Sequence, residues 1–206
     1  MNLDIVILAA GRGTRMNSNI PKVLHQIGGD SMLGHVLKAA RKLESEKIHI
    51  VVGYAAQQIK TEFSSDKDLQ WALQEEQLGT GHAVMQAMPS IDISKPEKRV
   101  LILYGDVPLT NFSTLRKLVQ QASENTLCIL TLLTENPKGL GRIVRDDSGE
   151  ITAIVEEKDA NDEQKKINEI NTGIMVIPAA KLNTWLNSLG NDNAQGEYYL
   201  TDVVAM

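Results

Sequence analysis

The sequence has little of several features that mark other classes of protein. It contains one cysteine in 206 residues, so the chain can form no internal disulfide, which is typical of a reducing compartment. It has no apolar run of the roughly 20 residues that a membrane span requires. Its N-terminus lacks the basic region and the small-residue cleavage site of a signal peptide. We therefore expect a cytoplasmic protein that does not span a membrane.

Charge of one sign is not in large excess either. The chain carries 21 Lys and Arg against 26 Asp and Glu, which gives a formal net charge of −5. Proteins that bind nucleic acid usually present a basic face. The sequence has no long basic run, so nucleic acid is not an expected partner. An acidic protein can still bind a triphosphate if a local basic pocket or a metal ion compensates the phosphate charge.

Nucleophilic and zinc chemistry are also disfavoured. Cys128 stands in the apolar run Leu127-Cys128-Ile129-Leu130 and is expected to be a buried small hydrophobic residue rather than a nucleophile. His25, His35 and His49 lack metal-ligand spacing, and there is no cysteine pair for a zinc site. His82 stands at the start of a predicted helix, and we interpret it as a capping or packing residue rather than a catalytic base.

Apolar runs of strand length alternate with helical patterns up to Pro137. This order predicts an α/β fold, with a Rossmann-like, mostly parallel sheet and helices on both faces. The predicted strands are residues 3–9, 48–52, 69–73, 100–104 and 126–133, and the predicted helices are residues 32–43, 57–63, 81–88 and 113–122, the last with a serine cap. Ligands bind such sheets beyond the carboxyl ends of the strands. The loops after Leu8, Leu73 and Tyr104 are therefore expected to meet at one site.

The pattern changes after Pro137 and predicts a small β-rich lobe. A hairpin around the turn Asp146-Asp147-Ser148-Gly149 is predicted for residues 142–144 and 150–155. The remaining predicted elements are a charged helical stretch at 159–166, a strand at 170–177, a helix at 179–189 ended by Gly190, and the start of a helix at 198–206.

The strongest local signal is the run from Leu8 to Met16, Leu-Ala-Ala-Gly-Arg-Gly-Thr-Arg-Met, which Pro21-Lys22 follows. Small residues and glycines after a buried strand let backbone N–H groups approach a ligand closely. The cations of Arg12, Arg15 and Lys22 suit phosphate oxygens. The spacing is not that of a Walker A loop. Met16 stands where a dinucleotide-binding fingerprint has its third glycine, which disfavours an oxidoreductase.

Further motifs follow over nearly the whole chain. They are Gln74-Glu75-Glu76-Gln77-Leu78-Gly79-Thr80-Gly81-His82-Ala83, Tyr104-Gly105-Asp106-Val107-Pro108-Leu109, Gly141-Arg142-Ile143, Val155-Glu156-Glu157-Lys158-Asp159-Ala160, Glu169-Ile170-Asn171-Thr172-Gly173 and Asn193-Ala194-Gln195-Gly196-Glu197-Tyr198-Tyr199. The glycine-rich run and the Tyr104 motif resemble sugar-1-phosphate nucleotidyltransferases in general. The whole set resembles the nucleotidyltransferase domain of the bacterial bifunctional N-acetylglucosamine-1-phosphate uridylyltransferases.

The resemblance implies transfer of UMP from UTP to N-acetylglucosamine 1-phosphate. The products would be pyrophosphate and UDP-N-acetylglucosamine, a precursor of cell wall and lipopolysaccharide. The implied nucleotide-binding residues lie in the loops after three strands: Leu8, Ala9, Ala10, Gly11, Lys22, Gln74, Gly79, Thr80, Tyr104, Gly105 and Asp106. The implied sugar-binding residues are Gly141, Glu156 and Asn171, and the implied catalytic residues are Arg15, Lys22 and Asp106.

The resemblance also implies a cofactor and a mechanism. Asp106 would bind Mg²⁺, Arg15 would neutralise the leaving pyrophosphate, and Lys22 would hold the phosphate at the reacting centre. No general base is expected, because the sugar phosphate is already an anion near neutral pH. Catalysis would then rest on alignment and on neutralisation of charge.

The chain departs from that family in its extent. The family's left-handed β-helix domain, which carries the acetyltransferase activity and forms a trimer, is absent, so we expect a monomer without acetyltransferase activity. Residues 1–206 are expected to form a nucleotidyltransferase domain that is truncated at its C-terminal end. The sequence stops before an asparagine that the family uses at the magnesium site, which predicts weakened or absent turnover with nucleotide binding retained.

Two other functions stay open. One is a related glucose-1-phosphate uridylyltransferase or thymidylyltransferase, which a panel of substrates would separate. The other is a nucleotide-binding module with little turnover.

Overall fold

The computed structural model describes residues 2–13, 16 and 18–206. Its strands are β1 (Leu3–Ala9), β2 (Gln26–Ile27), β3 (Asp30–Ser31), β4 (Lys47–Val52), β5 (Leu69–Leu73), β6 (Arg99–Tyr104), β7 (Cys128–Leu133), β8 (Arg142–Arg145), β9 (Ile151–Val155) and β10 (Glu169–Pro178). Its α-helices are α1 (Met32–Arg41), α2 (Ala56–Glu62), α3 (Thr80–Ala87), α4 (Phe112–Gln121) and α5 (Ala179–Leu186). Short 3-10 helices cover Lys22–Leu24, Met88–Ser90, Gln164–Lys166 and Leu200–Ala205.

The centre of the fold is one eight-stranded sheet in the order β5-β4-β1-β6-β10-β8-β9, with β7 also paired to β10. Strands β5, β4, β1 and β6 pair in parallel. Strand β10 is antiparallel to both β6 and β7, so β7 points in the same direction as the four parallel strands. The predicted mostly parallel α/β sheet is confirmed. The predicted hairpin, β8 and β9, extends this sheet through the pairing of Ile170 with Arg142.

Strand β1 divides the interior into two cores, because all seven of its residues are buried. Leu3, Ile5 and Ile7 face the core that α1, α2 and α4 cover. Val6 and Leu8 face the other core, which α3, α5 and the last 3-10 helix cover. Helices therefore lie on both faces, as the continuous apolar character of β1 predicts.

Several local predictions are wrong in detail. Helix α4 is capped by Asn111, whose side chain accepts a hydrogen bond from the backbone N–H of Ser113 at 2.8 Å, so the cap is not a serine. Residues 159–166 form turns and one 3-10 helix, because this charged stretch has no apolar face to bury. Helix α5 ends at Leu186 rather than at Leu189. The N–H groups of Ser188 and Leu189 donate to carbonyls three residues back, which forms turns before Gly190. The C-terminal helical stretch is a 3-10 helix.

Membrane insertion of a helix finds no support in the described part of the chain. No helix there combines the length and the hydropathy that crossing a bilayer requires.

A cluster of buried charges lies towards the amino ends of the parallel strands. Asp4 is 0% exposed, and Lys98 and His49 are each 1% exposed. The Nζ atom of Lys98 lies 2.8 Å from Oδ1 of Asp4, and Nε2 of His49 lies 3.2 Å from Oδ2. Burial alone would raise the pKa of Asp4, but its contacts with His49 and Lys98 outweigh burial and hold that pKa below its usual value of 3.8. Asp4 and Lys98 depend on each other, since each buried charge compensates the other.

Replacing Lys98 with methionine should destabilise the fold, because Asp4 would stay buried without its counter-charge. We expect a loss of ~3–5 kcal/mol in the free energy of unfolding at pH 7, measured by urea denaturation. The control is Lys95→Met, since Lys95 is only partly buried, with 43% of its side chain exposed, and lies 3.5 Å from Glu46, a partner that it shares with Lys98. The control should cost less than about 1 kcal/mol.

The wild-type protein should also show the matching pH dependence. Because the folded pKa of Asp4 lies below its unfolded value of 3.8, the stabilisation is complete at neutral pH and is lost as pH falls through the folded pKa. Equal, small losses for Lys98→Met and Lys95→Met would contradict this account of the cluster.

Candidate functional site

Three loops meet beyond the carboxyl ends of the parallel strands. They follow β1, β5 and β6, and main-chain hydrogen bonds tie the last two to neighbouring strands. The N–H of Gly105 donates to the carbonyl of Leu8 at 2.9 Å, and the N–H of Gln74 donates to the carbonyl of Val52 at 2.8 Å. Together with the first turn of α3, the loops enclose an open cavity of about 320 Å³. The cavity lies where the strand order predicts a ligand site.

The cavity brings together ten of the eleven residues that the resemblance implies for nucleotide binding. They are Leu8, Ala9, Ala10, Gly11, Lys22, Gln74, Gly79, Thr80, Tyr104 and Asp106. Gly105 lies directly against this wall, because a Cβ atom there would stand 3.2 Å from Val23 and 3.3 Å from the carbonyl of Leu8. Arg15 lies outside the described residues.

Lys22 reaches the cavity because Gly13 leaves room for it. Gly13 has a φ of +59°, and a Cβ atom there would stand 2.7 Å from the Cβ of Lys22. Lys22 opens a 3-10 turn whose Val23 packs into the core. The Nζ atom of Lys22 lies 2.5 Å from Oδ2 of Asp106, which follows β6. The two predicted catalytic groups are therefore partners in an ion pair at the edge of the cavity.

Asp106 is a suitable ligand for Mg²⁺. This ion commonly takes one or two carboxylates from a protein and completes its shell with waters and phosphate oxygens. Within the described residues, no group of three or more His, Cys, Asp or Glu could hold a metal ion without substrate. The donor set therefore fits an ion shared with phosphate. Asp106 would hold such an ion, which would supply positive charge beside the phosphates.

Gln74 also lines the cavity and is 3% exposed. Its Nε2 atom donates to the carbonyl of Gly79 at 3.1 Å. Gly79 has a φ of +109°, and a Cβ atom there would stand 2.6 Å from the carbonyl oxygen of Tyr198, so a side chain at this position would need the backbone to move. The hydroxyl of Thr80 accepts a hydrogen bond from the N–H of Leu200 at 3.1 Å. The segment from Tyr198 to Leu200 thus fixes the loop that presents Gln74.

The three predicted sugar-binding residues are neighbours near the amino end of β10. The N–H of Asn171 donates to the carbonyl of Gly141 at 2.9 Å. A Cβ atom on Gly141 would stand 3.3 Å from both carboxylate oxygens of Glu156. The hydroxyl of Thr201 donates to Oε1 of Glu156 at 3.3 Å. Burial raises the pKa of Glu156, and the nearby carboxylate of Asp159 adds to the rise.

Tyr104 lines the cavity, and the charge of Glu156, a predicted sugar-binding residue, acts on its hydroxyl. Its ring packs on the backbone of Gly173, where φ is +80° and a Cβ atom would clash with the ring. Burial raises the pKa of the Tyr104 hydroxyl, and the charges of Glu156 and Asp106 raise it further. The hydroxyl therefore stays protonated at neutral pH.

Comparison with known proteins decides the class of this site. Residues 5–157 match the MobA-like NTP transferase domain, which is more than half of the chain. The chain belongs to the MobA-like NTP transferase family. It is therefore a nucleotidyltransferase, and its catalytic chemistry is expected in the crevice described above.

The curated relatives of this MobA-like transferase extend well beyond it. The chain is 56% identical over all 206 residues to the bifunctional protein GlmU of Pseudomonas putida (strain GB-1), and 56% identical to that of Azotobacter vinelandii. It spans 44% of the length of each and matches the N-terminal nucleotidyltransferase part. Together with the family match, these relatives support sugar-phosphate nucleotidyl transfer as the reaction class.

Solved structures show the same fold at low sequence identity. The UDP-glucose pyrophosphorylase complexed with UDP-glucose has a TM-score of 0.74 and 18% identity, over all of this chain and 86% of that one. HddC from Yersinia pseudotuberculosis has a TM-score of 0.68 and 19% identity, over 96% of this chain and 83% of that one.

Sequence reasoning missed some residues of the MobA-like site. Gln77 and Glu197 also line the cavity, although neither was assigned a role. The Nε2 atom of Gln77 donates to the carbonyl of Gln74 at 3.2 Å. Both residues stand within motifs that the sequence shows, so their position in a motif was the available signal. Cys128 is partly buried, and burial raises its pKa, which agrees with a structural role.

Replacing Gly173 with alanine should be costly, because the new Cβ atom would meet the Tyr104 ring. The matched control is Gly149→Ala, since Gly149 has a similar φ of +88° in the β8–β9 turn and nothing within 4 Å of a Cβ atom. The control should lose about 1–2 kcal/mol in the free energy of unfolding, which is the cost of placing a residue with a Cβ atom at a positive φ. We expect a clearly larger loss for Gly173→Ala by urea denaturation. An equal loss of stability in both variants would mean that the packing of the Tyr104 ring does not require a glycine at position 173.

Proposed function

We propose that the chain transfers UMP from UTP to N-acetylglucosamine 1-phosphate with Mg²⁺, giving UDP-N-acetylglucosamine and pyrophosphate. One observation carries the proposal: a single cavity brings together the glycine-rich loop, the Lys22–Asp106 ion pair, the buried Gln74 and Tyr104. The identity of 56% to proteins named bifunctional protein GlmU supports it. The choice of substrates comes from the resemblance of the motifs.

The triphosphate would lie over the loop that follows β1. Backbone N–H groups in the run from Leu8 to Gly11 would meet its oxygens, since all four residues line the cavity and Ala9, Ala10 and Gly11 are small. Lys22 would bind the phosphate at the reacting centre after leaving Asp106. Arg15 would neutralise the departing pyrophosphate. Asp106 would hold Mg²⁺, which supplies positive charge to the phosphates when bound.

The sugar phosphate would lie on the other side of Tyr104. The carboxylate of Glu156 and the amide of Asn171 would accept and donate hydrogen bonds to the sugar hydroxyls and the acetamide. Gly141 keeps the approach to Glu156 open, because its missing side chain would otherwise stand against that carboxylate. A phosphate oxygen of the sugar then attacks the α-phosphorus of UTP, the bond to pyrophosphate breaks, and no proton needs to move.

The reaction is tested by pyrophosphate release from the chain with and without Mg²⁺. UTP and dTTP are each paired with N-acetylglucosamine 1-phosphate and with glucose 1-phosphate. We expect release to depend on Mg²⁺ and to be highest for UTP with N-acetylglucosamine 1-phosphate. A preference for glucose 1-phosphate or dTTP would favour the related transferases instead. No release with any pair would mean that this chain does not catalyse the reaction. Nucleotide binding would then be the only function left to test.

Two variants test the assigned groups. Lys22→Ala and Asp106→Asn should each lower kcat/KM by about 10²–10³-fold, since each removes charge that faces the reacting phosphates. The control is Lys38→Ala, which breaks a 2.8 Å ion pair with Asp30 on the surface of α1, away from the cavity. Lys38→Ala should keep wild-type turnover. Near-normal kcat/KM in both site variants would make the assignment wrong.

A further inference from the structure

Strand β10 contains a bulge opposite Leu130 of β7. Asn171 pairs with Thr131 and Met175 pairs with Ile129, so three residues of β10 stand where β7 has one. A bulge interrupts the regular ladder of main-chain hydrogen bonds, and bulges beside functional sites often direct a side chain towards a ligand. The three residues must therefore be held by contacts other than regular strand pairing.

The side chain of Thr172 makes such contacts, since its hydroxyl bonds in two directions. It donates to the carbonyl of Leu130 at 2.6 Å, across the gap in the pairing. It also accepts a hydrogen bond from the N–H of Ile174 at 3.3 Å, within the bulge. A hydroxyl has one hydrogen and two lone pairs, so it can serve both partners at once. Thr172 thus attaches the bulge to the neighbouring strand.

The bulge in turn holds the side chain of Asn171, a predicted sugar-binding residue. The main chain of Asn171 is fixed by pairing with Thr131, but its side-chain amide is held by Gly173, whose N–H donates to Oδ1 of Asn171 at 2.8 Å. Because an N–H only donates, the amide oxygen faces Gly173, and the amide nitrogen is the end left for a ligand. The orientation of the amide therefore depends on where the bulge places Gly173.

Only one of these two side-chain contacts reaches another strand. The bond between Gly173 and Asn171 spans two residues of β10 and moves with the bulge, whereas the bond from Thr172 to Leu130 joins residues 42 positions apart. Loss of the local bond would free the amide alone. Loss of the long-range bond would let the bulge shift against β7 and carry the N–H of Gly173 with it.

We propose that Thr172 is a positioning residue for the sugar phosphate, which acts through the bulge on the amide of Asn171 and does not itself touch the substrate. Its hydroxyl bridges the gap in the strand pairing and keeps Gly173 where its N–H orients that amide. The inference rests on the proposed function, in which a sugar phosphate binds beside Asn171.

The kinetic test removes the hydroxyl and keeps the shape of the side chain. Thr172→Val should raise KM for N-acetylglucosamine 1-phosphate by about tenfold, the effect of one lost hydrogen bond. KM for UTP should stay near the wild-type value, because the cavity formed by the loops after β1, β5 and β6 is lined by residues outside the bulge. Thr172→Ser keeps the hydroxyl and should restore KM for the sugar phosphate.

Thr152→Val is the matched control. Thr152 of β9 also donates its hydroxyl to a carbonyl of the neighbouring strand, that of Val144 at 3.3 Å, where the pairing of β8 with β9 shifts register as well. This contact lies in the hairpin and not in the bulge of β10. Thr152→Val should therefore keep the wild-type KM for both substrates.

Three results would overturn the proposal in variants that urea denaturation shows to be folded. The first is an unchanged KM for the sugar phosphate in Thr172→Val. The second is an equal rise in KM for UTP and for the sugar phosphate. The third is a Thr172→Ser variant that behaves like Thr172→Val. A general loosening of the structure, rather than positioning by the hydroxyl, would give the last two results.

A measurement without substrate separates this inference from the proposed function. Amide hydrogen exchange, followed by NMR, reports how firmly the N–H groups of Gly173 and Ile174 are held. Exchange at both should be about tenfold faster in Thr172→Val, and unchanged in Thr172→Ser and Thr152→Val. Wild-type exchange rates in Thr172→Val overturn the inference whatever the enzyme does. Faster exchange, together with a wild-type chain that releases no pyrophosphate from any substrate pair, counts against the proposed function, and the attachment of the bulge by Thr172 stands.

Discussion

The parallel pairing of β1 with both of its neighbours is the constraint on which the rest of the site depends. Leu8 pairs with Val51 of β4 on one side and with Tyr104 of β6 on the other. This register brings the glycine-rich loop, which starts after β1, beside Gly105 and Asp106, which follow β6. Burial of every residue of β1 fixes the register, since a slip by one residue would exchange the two cores that its side chains enter.

Strand β10 connects the parallel strands to the predicted sugar-binding residues. Its carboxyl half pairs with β6 and its amino half pairs with the hairpin strand β8. Between the halves, the pairing with β7 shifts register between Asn171 and Met175. Gly173 lies in that interval with φ at +80°, and Tyr104 packs against it. One irregular strand thus positions Tyr104 and the predicted sugar-binding residue Asn171 relative to the parallel sheet.

The fold was largely predictable from the sequence, because β1, β4 and β6 are apolar runs that nothing but a buried parallel sheet would explain. The predicted elements were wrong where helix propensity and side-chain packing disagree. The charged stretch at 159–166 is an example, since it has helical composition but no apolar face. Asn111 was missed as a cap because Ser113 is an equally good capping type, and only the path of the chain decides between them.

The site was predictable in its membership but not in its pairings. Glycines and strand ends identify the loops, whereas the ion pair of Lys22 with Asp106 joins residues 84 positions apart. Its formation depends on Gly13 and on the register of β6, which no local pattern reveals. The contact of Gln74 with His82 lies within one motif, yet the sequence does not show that a strand end and a helix start turn these two side chains towards each other.

A crystal structure of the chain with UDP-N-acetylglucosamine and Mg²⁺ would test the central claim most directly, that one crevice holds the nucleotide and the sugar on two sides of Tyr104. The account predicts uracil beside Gln74, phosphates at the loop after β1 and Lys22, and the sugar against Gly141, Glu156 and Asn171. A nucleotide bound in another groove, such as that between Ile20 and α2, or a sugar turned away from Glu156, would contradict it.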